Sequence, residues 1–300
     1  WVPLSEHVML SMPGALRAHG GYASSLDVQV ADPEKSDAVS QQTRLHTRLR
    51  FAPALMATGR GWPVFEMYRI GVDGDVLWDV VTPREDSWTS HEPRADGWQF
   101  TPKPRLMGAS FSALGPYIGL NVGIMRSHWG TGLLANHGLT SDPLEFGWGR
   151  YADRVARAQL LFFPLGTPRG DEDVFSAPAP LTLSFAADAV VEDDTASWLD
   201  GDRAFHGVMA ALGVIDDFKV GVYAVHRRQD HAGGGDTEVT ALDLYLKKSF
   251  HAGLMDMFAE LEVAVMFGST SYSQSALTPG RFSIESGGGV LRVGGSIEGF

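Results

Sequence analysis

The chain has 300 residues, 44% of them hydrophobic, with no cysteine, 35 glycines and a formal net charge of −12. The acidic balance excludes a nucleic-acid binder, which would carry a basic face, and the missing cysteines exclude disulfides and thiolate metal sites. No run approaches the roughly 18 apolar residues that a spanning helix needs, but strands that cross a bilayer escape that test by alternating apolar and polar residues.

The amino terminus, Trp1-Val2-Pro3, has neither an initiating Met nor a basic leader, so the chain reads as processed or excised. Leu16 to Val30 alternates and predicts a strand of barrel length; Ala31–Ser40 predicts a polar loop. In Thr43–Phe51, Leu45, Thr47, Leu49 and Phe51 face one way, and Arg44, His46, Arg48 and Arg50 the other. On a soluble sheet those basic groups would face solvent; inside a barrel they would line the lumen and favour anionic solutes. Pro53, Gly59, Gly61 and Pro63 interrupt the pattern. Val64–Val72 and Asp75–Val81 predict two short strands around an Asp73-Gly74 turn. Thr82–Pro104 predicts a long external loop carrying Trp88, Trp98 and Phe100.

Leu106–Ala113 and Tyr117–Arg126 predict a hairpin, with Gly119 and Gly123 on its inner face leaving room for a segment lying against the wall. Ser127–Ala152 fits neither period and is the candidate inward-folded loop. Arg126, His128, Asn136, Asp153 and Arg154 form the candidate constriction, pinned by Asp–Arg pairs. The stretch from Arg126 through His128-Trp129-Gly130-Thr131-Gly132-Leu133-Leu134-Ala135-Asn136, with Tyr151-Ala152-Asp153-Arg154-Val155, resembles a segment of poorly characterised proteobacterial outer-membrane barrel proteins. That resemblance implies a location in the bacterial outer membrane, facing lipopolysaccharide, and a porin-like barrel; it implies no reaction.

Alternation resumes in the strand after Asp153, whose outer parity is Ala156, Ala158, Leu160 and Phe162, and again in Leu181–Ala189 and Phe218–His226. Ala204–Ile215 suits a strand or a short helix. The two cleanest runs flank a hairpin turn at Ser249–Asp256: one carries Asp243 and Lys247 on its polar face, the other Glu260 and Glu262. Phe282 and Ile284 begin one further strand, and Leu291, Val293, Gly295 and Ile297 form the last. Phe300 is out of register with that outward face, which points to strands of a larger barrel beyond the chain.

The expected fold is therefore all-β, one antiparallel up-and-down transmembrane barrel domain of roughly a dozen strands. No histidine pair has metal-ligand spacing, Gly-x-Ser-x-Gly is absent and no glycine run opens a helix, so neither metal, cofactor nor catalytic chemistry is expected. The lead expectation is a porin-like barrel in a lipid bilayer passing small polar or anionic solutes. In it Arg44, His46, Arg48 and Arg50 would be opposed by Asp243, Glu260 and Glu262. The alternatives are a non-conducting barrel for surface assembly or export, and a secreted all-β carbohydrate-binding or glycosidase-like protein using Glu260 and Glu262 as paired carboxylates. Sequence leaves the oligomeric state open.

Overall fold

A computed structural model describes residues 2–23, 42–59, 64–78, 105–135, 153–167, 179–193, 195–272 and 280–297. They form an all-β, antiparallel, up-and-down chain, without a helix among the described residues. The strands are β1 (Val2–Ser5), β2 (Val8–Ser11), β3 (Gly14–Ala23), β4 (Gln42–Phe51), β5 (Ala54–Thr58), β6 (Met67–Trp78), β7 (Arg105–Leu114) and β8 (Ile118–Arg126). They continue with β9 (Arg154–Phe162), β10 (Leu181–Glu192), β11 (Arg203–Ile215), β12 (Phe218–Asp230), β13 (Asp236–Ala252), β14 (Met255–Thr270) and β15 (Phe282–Ile297).

These residues fall into two compact units, with β5, β6 and β7 contributing residues to both. The first holds the β1–β2 hairpin and the β3–β4 pair, which runs in register from Gly14↔Phe51 to Ala23↔Gln42. There β4 also pairs with the Gly74–Trp78 end of β6 across an irregularity at Leu49 and Arg50. The second unit is a meander in which each strand from β8 to β15 pairs with the next. The outer edge of β15 has no paired strand among the described residues.

Tight turns join β11 to β12 at Asp216-Asp217 and β13 to β14 at Gly253-Leu254. Asp216 and Gly253 both take positive φ, 49° and 65°, the conformation that two-residue hairpin turns demand and that Gly and Asp tolerate best. The β13–β14 hairpin is consequently longer than its sequence pattern suggests, zipping from Thr237↔Thr270 to Ala252↔Met255. The turn expected over Ser249–Asp256 shrinks to its middle because the end residues keep extended pairing.

Two further expectations are corrected. Asp73-Gly74 is not a turn: β6 runs straight through it, because Gly74 and Asp75 pair with Phe51 and Arg50 of β4. Gly287-Gly288-Gly289 does not separate two strands: each of these glycines pairs with β14, opposite Val265, Ala264 and Val263. Between Pro53 and Gly59, which do bound it, Ala54–Thr58 forms strand β5, and Ala204–Ile215, which suited a strand or a helix, lies in strand β11. The predicted Leu16–Val30 strand is confirmed over β3; its remainder, the Ala31–Ser40 and Thr82–Pro104 loops and Phe300 lie outside the described residues.

Packing in the second unit separates two sides. On β14, Glu260 and Glu262 are 6% and 0% exposed, whereas Val263 and Val265 are 43% and 49% exposed. On β13, Asp243 and Tyr245 are buried between exposed Leu242 and Leu244. On β10, buried Ser184 and Asp188 alternate with exposed Phe185, and on β11 buried Ala204 and Val208 alternate with exposed Phe205 and Met209. Apolar burial is limited to small clusters, one of Val155, Val190, Ala196 and Ala204 and another of Leu114, Phe163 and Ala179.

The Asp193–Asp202 connection from β10 to β11 folds over the first cluster through Ala196 and is clamped by charge. Asp193 accepts hydrogen bonds from the Thr195 and Ala196 backbone N–H groups and from Arg227, whose Nη1 lies 2.5 Å away. Burial pushes the Asp193 carboxyl up, but the Arg227 hydrogen bond and charge outweigh it and hold the group below the ordinary carboxylate range. A depressed folded value makes the clamp fully effective above the unfolded value and lost as pH falls through the folded one. Asp193→Asn should therefore lower stability by about 2 kcal/mol at neutral pH, as for a hydrogen bond to a charged group. In acid, thermal unfolding of the parent and the variant in detergent should converge.

Candidate functional site

The buried side of β8 to β15 carries several groups of cross-strand hydrogen bonds and ion pairs. Asn121 of β8 donates to Gln159 of β9 at 2.8 Å, and Gln159 donates to Ser184 of β10 at 2.8 Å. One level along, Arg157 makes two 2.7 Å bonds to Asp188, with His206 of β11 beside them at 3.9 Å. At the other end, Glu260 accepts from Lys247 at 2.6 Å and Tyr245 at 3.1 Å, and pairs with Arg292 of β15 at 3.1 Å. Period-two strands put all these groups on one side, and each buried charge has an opposite charge within reach.

Between these ends, residues 127–135 fold against the polar side. Ser127 N–H donates to the Asp153 carbonyl, and the Ser127 hydroxyl accepts from Arg157 at 3.0 Å. Trp129 Nε1–H donates to Asp243 at 2.8 Å, while the indole stacks on Tyr223 with centroids 5.2 Å apart and meets the edge of Tyr245. Thr131 donates to Glu262 Oε2 through both its N–H and its hydroxyl, the latter at 2.5 Å. The segment closes on itself through Trp129 N–H to the Ala135 carbonyl and Gly132 N–H to the Trp129 carbonyl.

Two glycines make the fit possible. Gly130 has φ +54°, and a Cβ there would come within 2.6 Å of the Glu262 carboxylate. A Cβ on Gly221 of β12 would lie 2.8 Å from the Trp129 ring, so the indole sits directly on β12 backbone. The expectation that Gly119 and Gly123 make this room is corrected. Leu114 and Leu161 fill the space beside Gly119, and Gly123 lies against the Ala109 carbonyl of β7. The room is one level away, at Gly221.

Residues 127–135 of the candidate loop lie against the polar side of the sheet, and the rest of it, including Asn136, lies outside the described residues. Arg126 is the cross-strand partner of Arg154, which forms an ion pair with Glu192 of β10. His128 is exposed, and Asp153 meets the loop through its backbone carbonyl. Asp243, Glu260 and Glu262 share the buried side as expected, and Asp243 and Glu262 hold the loop. Glu260 and Glu262, the pair that a glycosidase would expose to a sugar, are buried and engaged with Lys247, Arg292, Tyr245 and Thr131. Arg50 is buried; the side chains of Arg44, His46 and Arg48 lie outside the described residues. Sequence reading missed Trp129, Thr131, Tyr223 and Arg157 as the groups that fasten the loop. The signal for the first two was the Trp129-Gly130-Thr131-Gly132 stretch itself, with glycines spacing an aromatic and a hydroxyl.

No family model and no curated protein matches the chain. Among solved structures, an anion-selective porin from Comamonas acidovorans is similar at 9% identity and a TM-score of 0.34, covering 97% of this chain and 98% of that one. OmpT, an outer-membrane protein of Vibrio cholerae in trimer form, is similar at 9% identity and a TM-score of 0.27, covering 96% of this chain and 100% of that one. Both likenesses are weak.

Gly221→Val should drive the Trp129 ring off β12. Over-packing of this kind costs about 1–3 kcal/mol, read as a lower unfolding midpoint together with red-shifted tryptophan emission. Gly207→Val on β11, where an added Cβ meets nothing within 4 Å, is the control and should leave the emission unchanged.

Proposed function

We propose that the chain is a transmembrane β-barrel of a bacterial outer membrane whose polar interior, narrowed by residues 127–135, passes small polar or anionic solutes passively. The observation that carries this reading is the inverted pattern of burial. Carboxylates and arginines are covered, and the leucines and valines between them are bare. A soluble sheet does the opposite, and an apolar face this extended is expensive in water. Lipid on the bare side removes that cost, and a wet interior on the other solvates the ionic array.

The exposed aromatics support the same assignment. Phe205 and Phe267 mark one level of the bare side, and Phe218 and Phe250 another. Thr240, the partner of Phe267, is ten positions from Phe250 on β13. That is about 34 Å along a strand, or about 26 Å of height at a 40° tilt, close to the roughly 25 Å apolar band between the aromatic girdles of such barrels. Leu244, paired with Val263, lies midway.

The seated loop favours a second reading, a barrel that does not conduct and serves surface assembly or export. Conductance separates the two.

Leu244→Arg and Val263→Arg place a charge at the middle of the proposed lipid face. Each should cost about 2–4 kcal/mol of folding into bilayers, measured by urea titration in liposomes. A soluble sheet would absorb either change within about 0.5 kcal/mol, as exposed positions do, and that result would remove the membrane assignment. In planar bilayers the parent protein should give discrete conductance steps, and Trp129→Ala should enlarge them by vacating the space over Gly221. Silent bilayers with correctly inserted protein would select the second reading.

A further inference from the structure

Trp129 and Thr131 leave one oxygen of each of their acceptors unused. Asp243 Oδ1 takes the indole N–H, and Glu262 Oε2 takes both Thr131 donors. Asp243 Oδ2 and Glu262 Oε1 are buried with no hydrogen-bond donor among the described residues. The two side chains sit diagonally across the β13–β14 ladder, since Glu262 pairs with Tyr245 and Asp243 with Ala264, and the same short segment binds both through Trp129 and Thr131. Two neighbouring buried carboxylates, one of them fully buried, repel each other unless a proton or a cation offsets one charge.

Cations are near but already engaged. Lys247 and Arg292 are bound to Glu260, and Arg157, which lies beyond Tyr223, is bound to Asp188. Among the described residues, the titratable side chains that pack on the Trp129 anchor are Tyr223 on β12 and Tyr245 on β13, neither of which brings positive charge. The described residues also offer no cluster of three or more His, Cys, Asp or Glu side chains for a metal ion. With one buried oxygen of each carboxylate left without a donor, a proton is the simplest bridge between them.

We propose that Asp243 and Glu262 hold one proton between them, and that this shared proton latches residues 127–135 onto the polar side of β12 to β14. With the proton in place, the pair carries a single negative charge. One carboxyl O–H donates to the other carboxylate, and the outer oxygens remain acceptors for Trp129 and Thr131. When the proton passes to water, both neighbouring groups become anionic. Relief comes from hydrating them, which requires the indole and Thr131 to leave. The latch deepens the reading above by supplying regulation at the same constriction; its effect on solute flow rests on that reading, whereas the latch itself does not.

The absence of cysteine from the chain makes the test clean, because a single introduced thiol is a unique labelling site. Leu133→Cys, on the exposed side of the segment, carries a nitroxide, and its mobility is followed by electron paramagnetic resonance across pH in detergent micelles. The expected result is one transition from immobile to mobile on raising pH, with the slope of a single proton. Asp243→Asn and Glu262→Gln, added separately, each replace the shared O–H by an amide N–H that cannot be lost, and each should keep the label immobile throughout the range. Mobility independent of pH in the parent overturns the latch, as does a transition that persists unchanged in both amide variants. A label that responds to added calcium or chelator and not to pH overturns it in favour of a bound cation. Conductance is recorded separately: a pH-dependent label in a silent barrel sustains the latch and removes the channel.

Discussion

The second unit depends on keeping a row of charges satisfied on one side of a sheet whose other side is greasy. Glu262 is the sharpest case. It is fully buried, and Thr131 supplies it with two donors from a segment 131 positions earlier in the chain. Glu260 needs Lys247 from the neighbouring strand on one side and Arg292 from the strand on the other. These demands fix register. A slip of one residue between β13 and β14 would turn every carboxylate to the apolar side and every valine to the polar one. Register errors are therefore penalised twice, once by exposed charge in the wrong medium and once by orphaned cations on neighbouring strands.

The same demand explains why apolar clusters are so few. Val155, Val190, Ala196 and Ala204 form a small core beneath the β10–β11 connection, and Leu114, Phe163 and Ala179 form another where β7 turns into β8. Neither lies among the carboxylates of β13 and β14, where ion pairs, two tyrosines and one indole do the filling. Hydrophobic burial of the usual kind is replaced by paired charges on one side. The favourable transfer of Leu242, Val263 and their neighbours has to come from whatever medium touches the other side.

Much of this was legible because a period of two is hard to imitate. Alternation placed Asp243, Glu260 and Glu262 on one side and located β8 to β14 with few errors. It failed where local chemistry and pairing disagree. Asp73-Gly74 carries turn chemistry, yet β4 offers Gly74 and the following Asp75 partners and holds them in a strand. Gly287-Gly288-Gly289 has no side chains to alternate, so its sixteen-residue strand β15 read as two pieces until the partner strand was visible. The loop was recognisable as an irregular segment, but not its anchors. Trp129 meets Asp243 across 114 positions, and no local pattern encodes a contact of that range. Beside the glycines that space Trp129 and Thr131, Gly221 is a second local sign, a small residue on the buried parity of β12 that looks like part of an ordinary alternation.

The way the loop is held bears on what it can do. In a protein with an apolar core, peeling away a segment that carries a tryptophan exposes greasy surface and costs the full transfer of that side chain. Here the surface beneath the indole is Gly221 backbone, two tyrosines and a carboxylate, all of which accept water. Release exchanges protein donors for water donors at Asp243 and Glu262, and the net worth of such an exchange is only about 1.5–3 kcal/mol for each charged acceptor. The strands behind it keep their own ladders intact, from β12 through β15. A segment fastened by a few charge-assisted hydrogen bonds over a hydratable floor can come and go without threatening the fold, because the wall that it covers was never an oily core.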